Sequence, residues 1–358
     1  MTPRNFVYLA IAAALSVLFA VVSFASNNQW STGKAAGDKL FPSLVRDASQ
    51  IAAVEVRQGD NAVVLERAGG GWGLKNRGSY PADPSKVRTL LVGLAEADLV
   101  ESKTRRLDRY AALELEDPAD KSAKSRIVRL LGAKGNVIGE VVIGKKRLDL
   151  LGTGKSGTYV RKPGDPQTWL ADAELDAPVA VKDWVKTSVY TADAAKISRI
   201  AIEIPGEEAL RIAREAAPAK DAKDAREPPA DPAAAKLQFA GFPPAGRKLK
   251  DASAADGIAR ALASIDIEDV RKLDAPPAGA GSSTVRIEMA DGPTTTLRLR
   301  RDGDAHWVAI AATGEGEAKK AADEINQRTQ GWEFKLPASK ADLILKKRAD
   351  LLEAPAGG

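Results

Sequence analysis

One order of patterns runs through this chain twice, and that repetition limits the fold more than any single motif does. In the first half, Ile51–Arg57 and Ala62–Arg67 flank Gly59-Asp60-Asn61, which reads as a strand, a turn and a strand. Gly69-Gly70-Gly71 closes this hairpin, and Trp72-Gly73-Leu74 begins a third extended piece. In Tyr80-Pro81-Ala82-Asp83-Pro84-Ser85, Asp83 is placed as an N-cap and Pro84 as the first helical residue. Val87, Leu90, Leu91 and Leu94 then recur at helical spacing and predict an apolar face that packs on the sheet. Further strands are predicted over Arg126–Leu131, Val137–Ile143, Thr158–Arg161 and Thr168–Leu170.

The second half keeps the order. Ile197–Ile204 and Ala209–Ala213 form a hairpin, and Leu237–Pro243 stands where Trp72 and Tyr80-Pro81 stood. Ser253-Ala254-Ala255-Asp256 has the spacing of a capping box ahead of Ile258, Leu262 and Ile265. With Leu91 laid on Leu262, Leu94 falls on Ile265 and Leu99 on Val270 without a gap. Strands Thr284–Met289 and Thr295–Arg300 meet at Asp291-Gly292, His306–Ile310 follows, and Trp332-Glu333-Phe334 matches Trp169-Leu170. A helix near Glu317–Arg328 is an addition in this copy. The reading is an internal duplication: two related α+β domains, each an antiparallel sheet with a packed helix, over residues 44–192 and 193–358. The insertion 215–235, rich in Ala, Pro, Lys and Asp with no apolar face, is expected to be a mobile loop, and Ala275–Ser282 a shorter one.

Ahead of both copies, Phe6–Ala25 runs without a charge, and about 20 residues is the length of a membrane-crossing helix. Only Arg4 and the amino terminus precede it, so the short leading side is expected in the cytoplasm and the bulk in the periplasm. Residues 1–25 are read as the anchor, 6–25 as its contact with the bilayer, and 26–43 as a stalk in which Trp30 sits at the membrane interface. Ser23-Phe24-Ala25 also fits a signal-peptidase site, although the apolar run exceeds the roughly 7–15 residues of a signal-peptide core. Either reading exports the folded part.

The chemistry available is narrow. The 358 residues contain no cysteine and a single histidine, His306, which removes disulfides, thiolate metal sites and histidine clusters. Fifty-three basic and 48 acidic residues are mixed along the chain, which reads as a solvated surface and not as a nucleic-acid footprint. The densest basic groups, Lys103–Arg106 and Lys346-Lys347-Arg348, read as exposed faces of strand ends and helices, and the anchor brings the chain as a whole near anionic phospholipid headgroups. Gly154-Lys155-Ser156 ends like a phosphate-binding P-loop, but Asp149 stands where the first glycine belongs. A short β-prone run follows where a helix is required. No nucleotide, cofactor or metal is expected. Asp302-Gly303-Asp304 lacks the later ligands of a calcium loop and reads as a turn.

Several of these residues together resemble a known family. They are the span, Ile51-x-x-Val54-x-Val56, Gly71-Trp72-x-Leu74, Tyr80-Pro81-Ala82-Asp83 entering a helix, Ile143-Gly144-Lys145, and Gly157-Thr158-Tyr159-Val160-Arg161. The chain is similar to a bacterial envelope family of unknown function, with a single N-terminal span and a tandem repeated α+β domain, often found beside gliding-type ABC transporter components. The second half departs from it in carrying Phe242-Pro243-Pro244 for Tyr-Pro-Ala-Asp. What the resemblance implies is a setting: a non-enzymatic accessory or scaffold subunit beside an ABC permease and ATPase. The alternative is a module that binds envelope glycan or another polymer through its tryptophans, and a remote one is an unrecognised hydrolase. Trp72, Tyr80 and Trp169 are the candidate interaction residues, and Arg4 and Trp30 the interface residues.

Overall fold

The computed structural model describes residues 38–150, 154–214, 236–273 and 281–354. Segment 6–25, Arg4, Trp30, loop 215–235 and residues 275–280 lie outside the described residues. Among the described residues no helix is long and apolar enough to cross a membrane. The chain divides into two compact units. The first runs to Trp72 and resumes over Pro84–Val179; the second holds Gly73–Asp83 and everything from Ala180 onward. The fold is sheet-rich α+β with antiparallel sheets.

The first unit is built from β1 (Asp38–Lys39), β2 (Ile51–Gln58) and β3 (Asn61–Ala68). Next in the chain, β4 (Gly71–Leu74) and β5 (Tyr80–Pro81) pair with Leu74 opposite Tyr80. The first unit then continues with α1 (Pro84–Glu96), β6 (Asp98–Ser102), β7 (Arg126–Gly132), β8 (Val137–Arg147), β9 (Gly157–Arg161) and β10 (Thr168–Ala171). Its strand order is β1-β6-β10-β9-β8-β7-β2-β3, each neighbour antiparallel. The helix begins at Pro84 as its fixed φ favours. Val87, Leu90 and Leu94 are buried while Leu91 is half-buried, so the apolar stripe is narrower than the sequence spacing suggests. One sheet face carries a separate cluster in which Tyr110, Leu115 and Leu150 cover Ile127, Val142, Tyr159 and Leu170. Val141, Val142 and Ile143 are therefore all buried, which explains an uninterrupted apolar run where a one-sided strand would alternate.

The second unit follows with β11 (Ser188–Thr191), β12 (Ile197–Glu203), β13 (Leu210–Arg214) and β14 (Leu237–Phe239). Then come α2 (Ala254–Leu262), β15 (Ser264–Asp266), β16 (Asp269–Lys272), β17 (Ser283–Met289), β18 (Thr294–Asp302) and β19 (Ala305–Thr313). The last elements are α3 (Glu317–Thr329), β20 (Trp332–Leu336) and α4 (Ala338–Ile344). β11 pairs with β15, and the main sheet has the order β14-β13-β12-β17-β18-β19-β20-β16.

Counted from the hairpin, the two sheets share one order: β3-β2-β7-β8-β9-β10-β6 and β13-β12-β17-β18-β19-β20-β16. Local details repeat as well. A single 3-10 turn, Ala48–Gln50 or Ala194–Lys196, leads into each hairpin. Arg67 Nε donates to Ile51 O at 2.9 Å and Arg214 Nε to Ile197 O at 2.7 Å, so each second strand ties down the first carbonyl of its partner. Leu99 and Val270 occupy matching strands β6 and β16, whereas Leu94 ends a helix and Ile265 lies in β15.

One local expectation is corrected, and one helix has a role the sequence did not show. Ser253 is the N-cap of α2 but makes no capping bond; its hydroxyl donates to Asp251 Oδ1 at 2.7 Å, so the capping box does not form. The helix α3 also does more than fill a connection. β20 pairs with β19 only over His306–Val308, leaving the far half of β19 as an open edge. Asn326 of α3 covers it, donating from Nδ2 to Ala312 O and accepting from Ala312 N, both at 2.8 Å. One side-chain amide thus satisfies both backbone groups that a missing strand would have paired.

Candidate functional site

The densest polar arrangement in the second unit grows from strand alternation in β20. Phe334 and Leu336 enter the core, which turns Glu333 and Lys335 to the opposite face. Glu333 is nonetheless 0% exposed, because two arginines close over it. Arg271 is its cross-strand partner on β16 and donates from Nε to Oε2 at 3.0 Å. Arg300 reaches over from β18, donating from Nε to Oε1 at 2.6 Å and from Nη2 to Oε2. Trp307 stands opposite Arg300 in register, and the Arg271 guanidinium lies 3.8 Å above its ring centroid. Arg271 Nη1 also donates to Asp302 Oδ2 at 2.7 Å.

Electrostatics follow from this packing. Burial alone would raise the Glu333 carboxyl, but the hydrogen bonds and charges of Arg300 and Arg271 outweigh it and hold the group below its ordinary range. The Arg271 hydrogen bond likewise lowers Asp302. Along the same edge, Arg77 grips Asp269 with two bonds, Nε to Oδ1 at 2.7 Å and Nη2 to Oδ2 at 2.9 Å. Tyr80 packs edge-on against Trp332 at 4.9 Å and Phe334 at 6.0 Å between ring centroids. Burial pushes its hydroxyl up to about 12.

Three arginines here face three carboxylates, and both oxygens of Glu333 are engaged. A carboxylate so occupied is a poor general base, and a balanced network is a poor trap for a free ion. Its chemistry is that of a clamp joining β16, β18 and β20. Among the described residues no group of three His, Cys, Asp or Glu side chains could hold a metal ion. A shallow depression beside α3 is lined by Lys319, Lys320, Asp323 and Glu324, an open surface where the two signs are mixed.

A family model described as "Domain of unknown function (DUF4340)" matches residues 72–277, more than half of the chain. The chain belongs to the DUF4340 family. No curated protein and no solved structure matches it. The DUF4340 match contains Arg77, Tyr80, Trp169, Asp269 and Arg271, while Arg300, Trp307 and Glu333 lie beyond its end.

The tryptophans and Tyr80 fall into different surroundings in this DUF4340 chain. Trp72 is half-buried with the Arg67 guanidinium 5.0 Å from its ring centroid. Trp169 is half-buried in β10, opposite Val160. Trp72 lies in β4, next to β3, and β3, β2, β7, β8 and β9 separate β4 from β10. At about 4.8 Å per strand this is roughly 29 Å, too far for the two rings to line one groove. Tyr80 belongs with Trp332 in the second unit, and Trp184 is fully buried. Gly154-Lys155-Ser156 leads into β9 and not into a helix; Gly154 N donates to Asp149 Oδ1 at 3.1 Å and Leu150 N to Lys155 O at 2.7 Å. Asp302-Gly303-Asp304 makes the β18–β19 turn, with Gly303 at φ 59°. His306 is paired with Arg301 and Leu336, and its Nδ1 is shielded with no hydrogen-bond partner among the described residues.

Sequence reasoning missed the Glu333 clamp. Its members lie 33 and 62 residues apart, and carboxylates are too numerous for one to stand out. The available signal was a glutamate set between Trp332 and Phe334, with Arg298 and Arg300 alternating on a neighbouring strand.

Proposed function

We propose that this DUF4340 protein is a single-span envelope protein. Its exported part, two duplicated α+β units, would serve as an accessory or scaffold subunit of a gliding-type ABC transport system and carry out no catalysis itself. The observation that carries the reading is the uncharged segment Phe6–Ala25 behind Arg4, which predicts a cytoplasmic N-terminus and a periplasmic bulk. The common strand order of the units, and the matching Arg67 and Arg214 latches, support descent from one duplicated domain. The transporter setting rests on the family resemblance. An interlocked, charge-balanced clamp supports a rigid presenting surface more readily than a reaction centre.

The test is co-purification. A C-terminal tag, light crosslinking of intact cells and extraction in mild detergent are expected to recover an ABC permease and its ATPase. Recovery of the chain alone, or with glycan, would overturn the transporter assignment. Protease added outside the cytoplasmic membrane checks the topology separately, since it should digest the bulk only after the outer barrier is opened.

A further inference from the structure

The basic run Lys103–Arg106, which the clamp does not use, forms one side of a compact surface in the first unit. Lys103 N donates to Thr168 O at 2.8 Å, and Thr168 N to Thr104 O at 2.9 Å, fastening the run to the start of β10. Tyr110 fastens the other side: its hydroxyl donates to Pro166 O at 2.6 Å, and the Arg161 guanidinium lies 5.0 Å from its ring centroid. Between these fixed points the chain projects Arg105, Arg106, Leu107 and Arg109 outward, all exposed. Leu107 is 76% exposed and stands among these cations, an apolar side chain flanked by basic ones. The only carboxylate inside this run, Asp108, is shared between Arg106 at 2.7 Å and Arg109 at 3.9 Å, and Arg105 is left uncompensated among the described residues. The adjoining β9–β10 turn carries one cation and one anion, Lys162 and Asp165, and leaves the charge of the surface to the arginines.

The direction of the chain indicates what covers this surface. β1 is antiparallel to β6, with Asp38 opposite Leu99 and Lys39 opposite Asp98. The chain therefore arrives at Asp38 from the side toward which β6 runs, which is the side of Lys103 and the exposed loop. Twelve residues separate Ala25, the end of the apolar segment, from Asp38. They reach about 45 Å when fully extended and about 20 Å as a flexible coil. A membrane surface at the end of the anchor is thus within reach of this loop.

We propose that Arg105, Arg106, Leu107 and Arg109 seat the first unit on the anionic phospholipid headgroups of the membrane that holds the anchor, with Leu107 dipping into the interface. This rests on the anchoring reading above. A basic residue near an anionic surface strengthens attachment about fivefold, so the three arginines, with Asp108 offsetting one of them, supply about 25-fold.

The absence of cysteine allows a single label at a chosen site in the full chain. The Leu107→Cys protein carries a fluorophore, with Leu343→Cys, at a 44% exposed leucine of the second unit, as reference. Each is reconstituted into phosphatidylcholine vesicles with and without about one third phosphatidylglycerol. With phosphatidylglycerol present, the label at 107 is expected to lose at least threefold of its quenching by aqueous iodide relative to the reference, and to be quenched by bromolipid. Replacing Arg105, Arg106 and Arg109 with Glu should restore iodide access. Equal quenching at both sites, in protein that stays with the vesicles after an alkaline carbonate wash, overturns this inference and leaves the anchor standing. Protein lost in that wash overturns the anchoring reading and this inference with it.

Discussion

Replacing Glu333 with Gln tests whether the buried carboxylate acts as a clamp. The substitution keeps the size of the side chain but leaves one acceptor oxygen where two had received three hydrogen bonds from Arg271 and Arg300. It also turns an amide NH2 toward a guanidinium. Hydrogen bonds to charged groups contribute about 1.5–3 kcal/mol each. The arginine side chains are 30% and 44% exposed and can recover water, which reduces the loss. The expected destabilisation is about 2–3 kcal/mol, or about 4–12 °C in Tm for a unit of this size. The pH dependence has a definite sign. A carboxyl held below its unfolded value, about 4.3, stabilises the fold above that value and loses the contribution as pH falls through the lower folded value. The gap between wild type and Glu333→Gln should therefore be constant from about pH 7 to 5.5 and close below about pH 4. Urea titrations read by amide hydrogen exchange in β16 and β20 report on this unit alone. A gap under about 0.5 kcal/mol at pH 7, or one that persists unchanged at about pH 3, would refute the clamp.

Other perturbations probe separate parts of the fold. Gly144→Ala would place a Cβ 2.3 Å from Leu113 O and 2.8 Å from Glu114 O, both backbone atoms, so a destabilisation of at least about 1–3 kcal/mol, read from a lowered urea midpoint, is expected in the first unit. Asn326→Ala leaves both Ala312 backbone groups unpaired and should cost about 1–3 kcal/mol, with faster exchange of the Ala312 amide as the specific readout. Tyr80, whose hydroxyl is pushed up to about 12, contributes stability that is intact below about pH 10 and lost as pH rises through the folded value. Tyr80→Phe should remove that alkaline loss from the melting profile, and an unchanged profile would show that another group controls it.

Much of the scaffold was legible in the residues because its signals are local. The hairpins over Ile51–Arg67 and Ile197–Ala213, the helix start at Pro84, and the added helix near Glu317 all follow from alternation, turn chemistry and helical spacing. The repeated order of these elements carried over into one strand order common to both units. Local rules failed where a side chain had a choice of partners. Ser253 had the spacing of a capping residue, yet Asp251 two positions away took its hydroxyl. Leu91 had the helical spacing of a core residue and remained half-buried.

The sequence by itself determined the hairpins, the helix from Pro84, the added helix and a chain without cysteine or a second histidine, because each depends on composition or on neighbours a few positions apart. The short strands β6 and β16 carry no such local signal and were not among the expected elements. Tertiary structure alone decided the grouping of Gly73–Asp83 with the second unit, the distance between Trp72 and Trp169, and the burial of Glu333 under Arg271 and Arg300. These outcomes depend on strand register and sheet order across tens of residues. No local periodicity encodes which of many carboxylates will face which arginine once the sheet has formed.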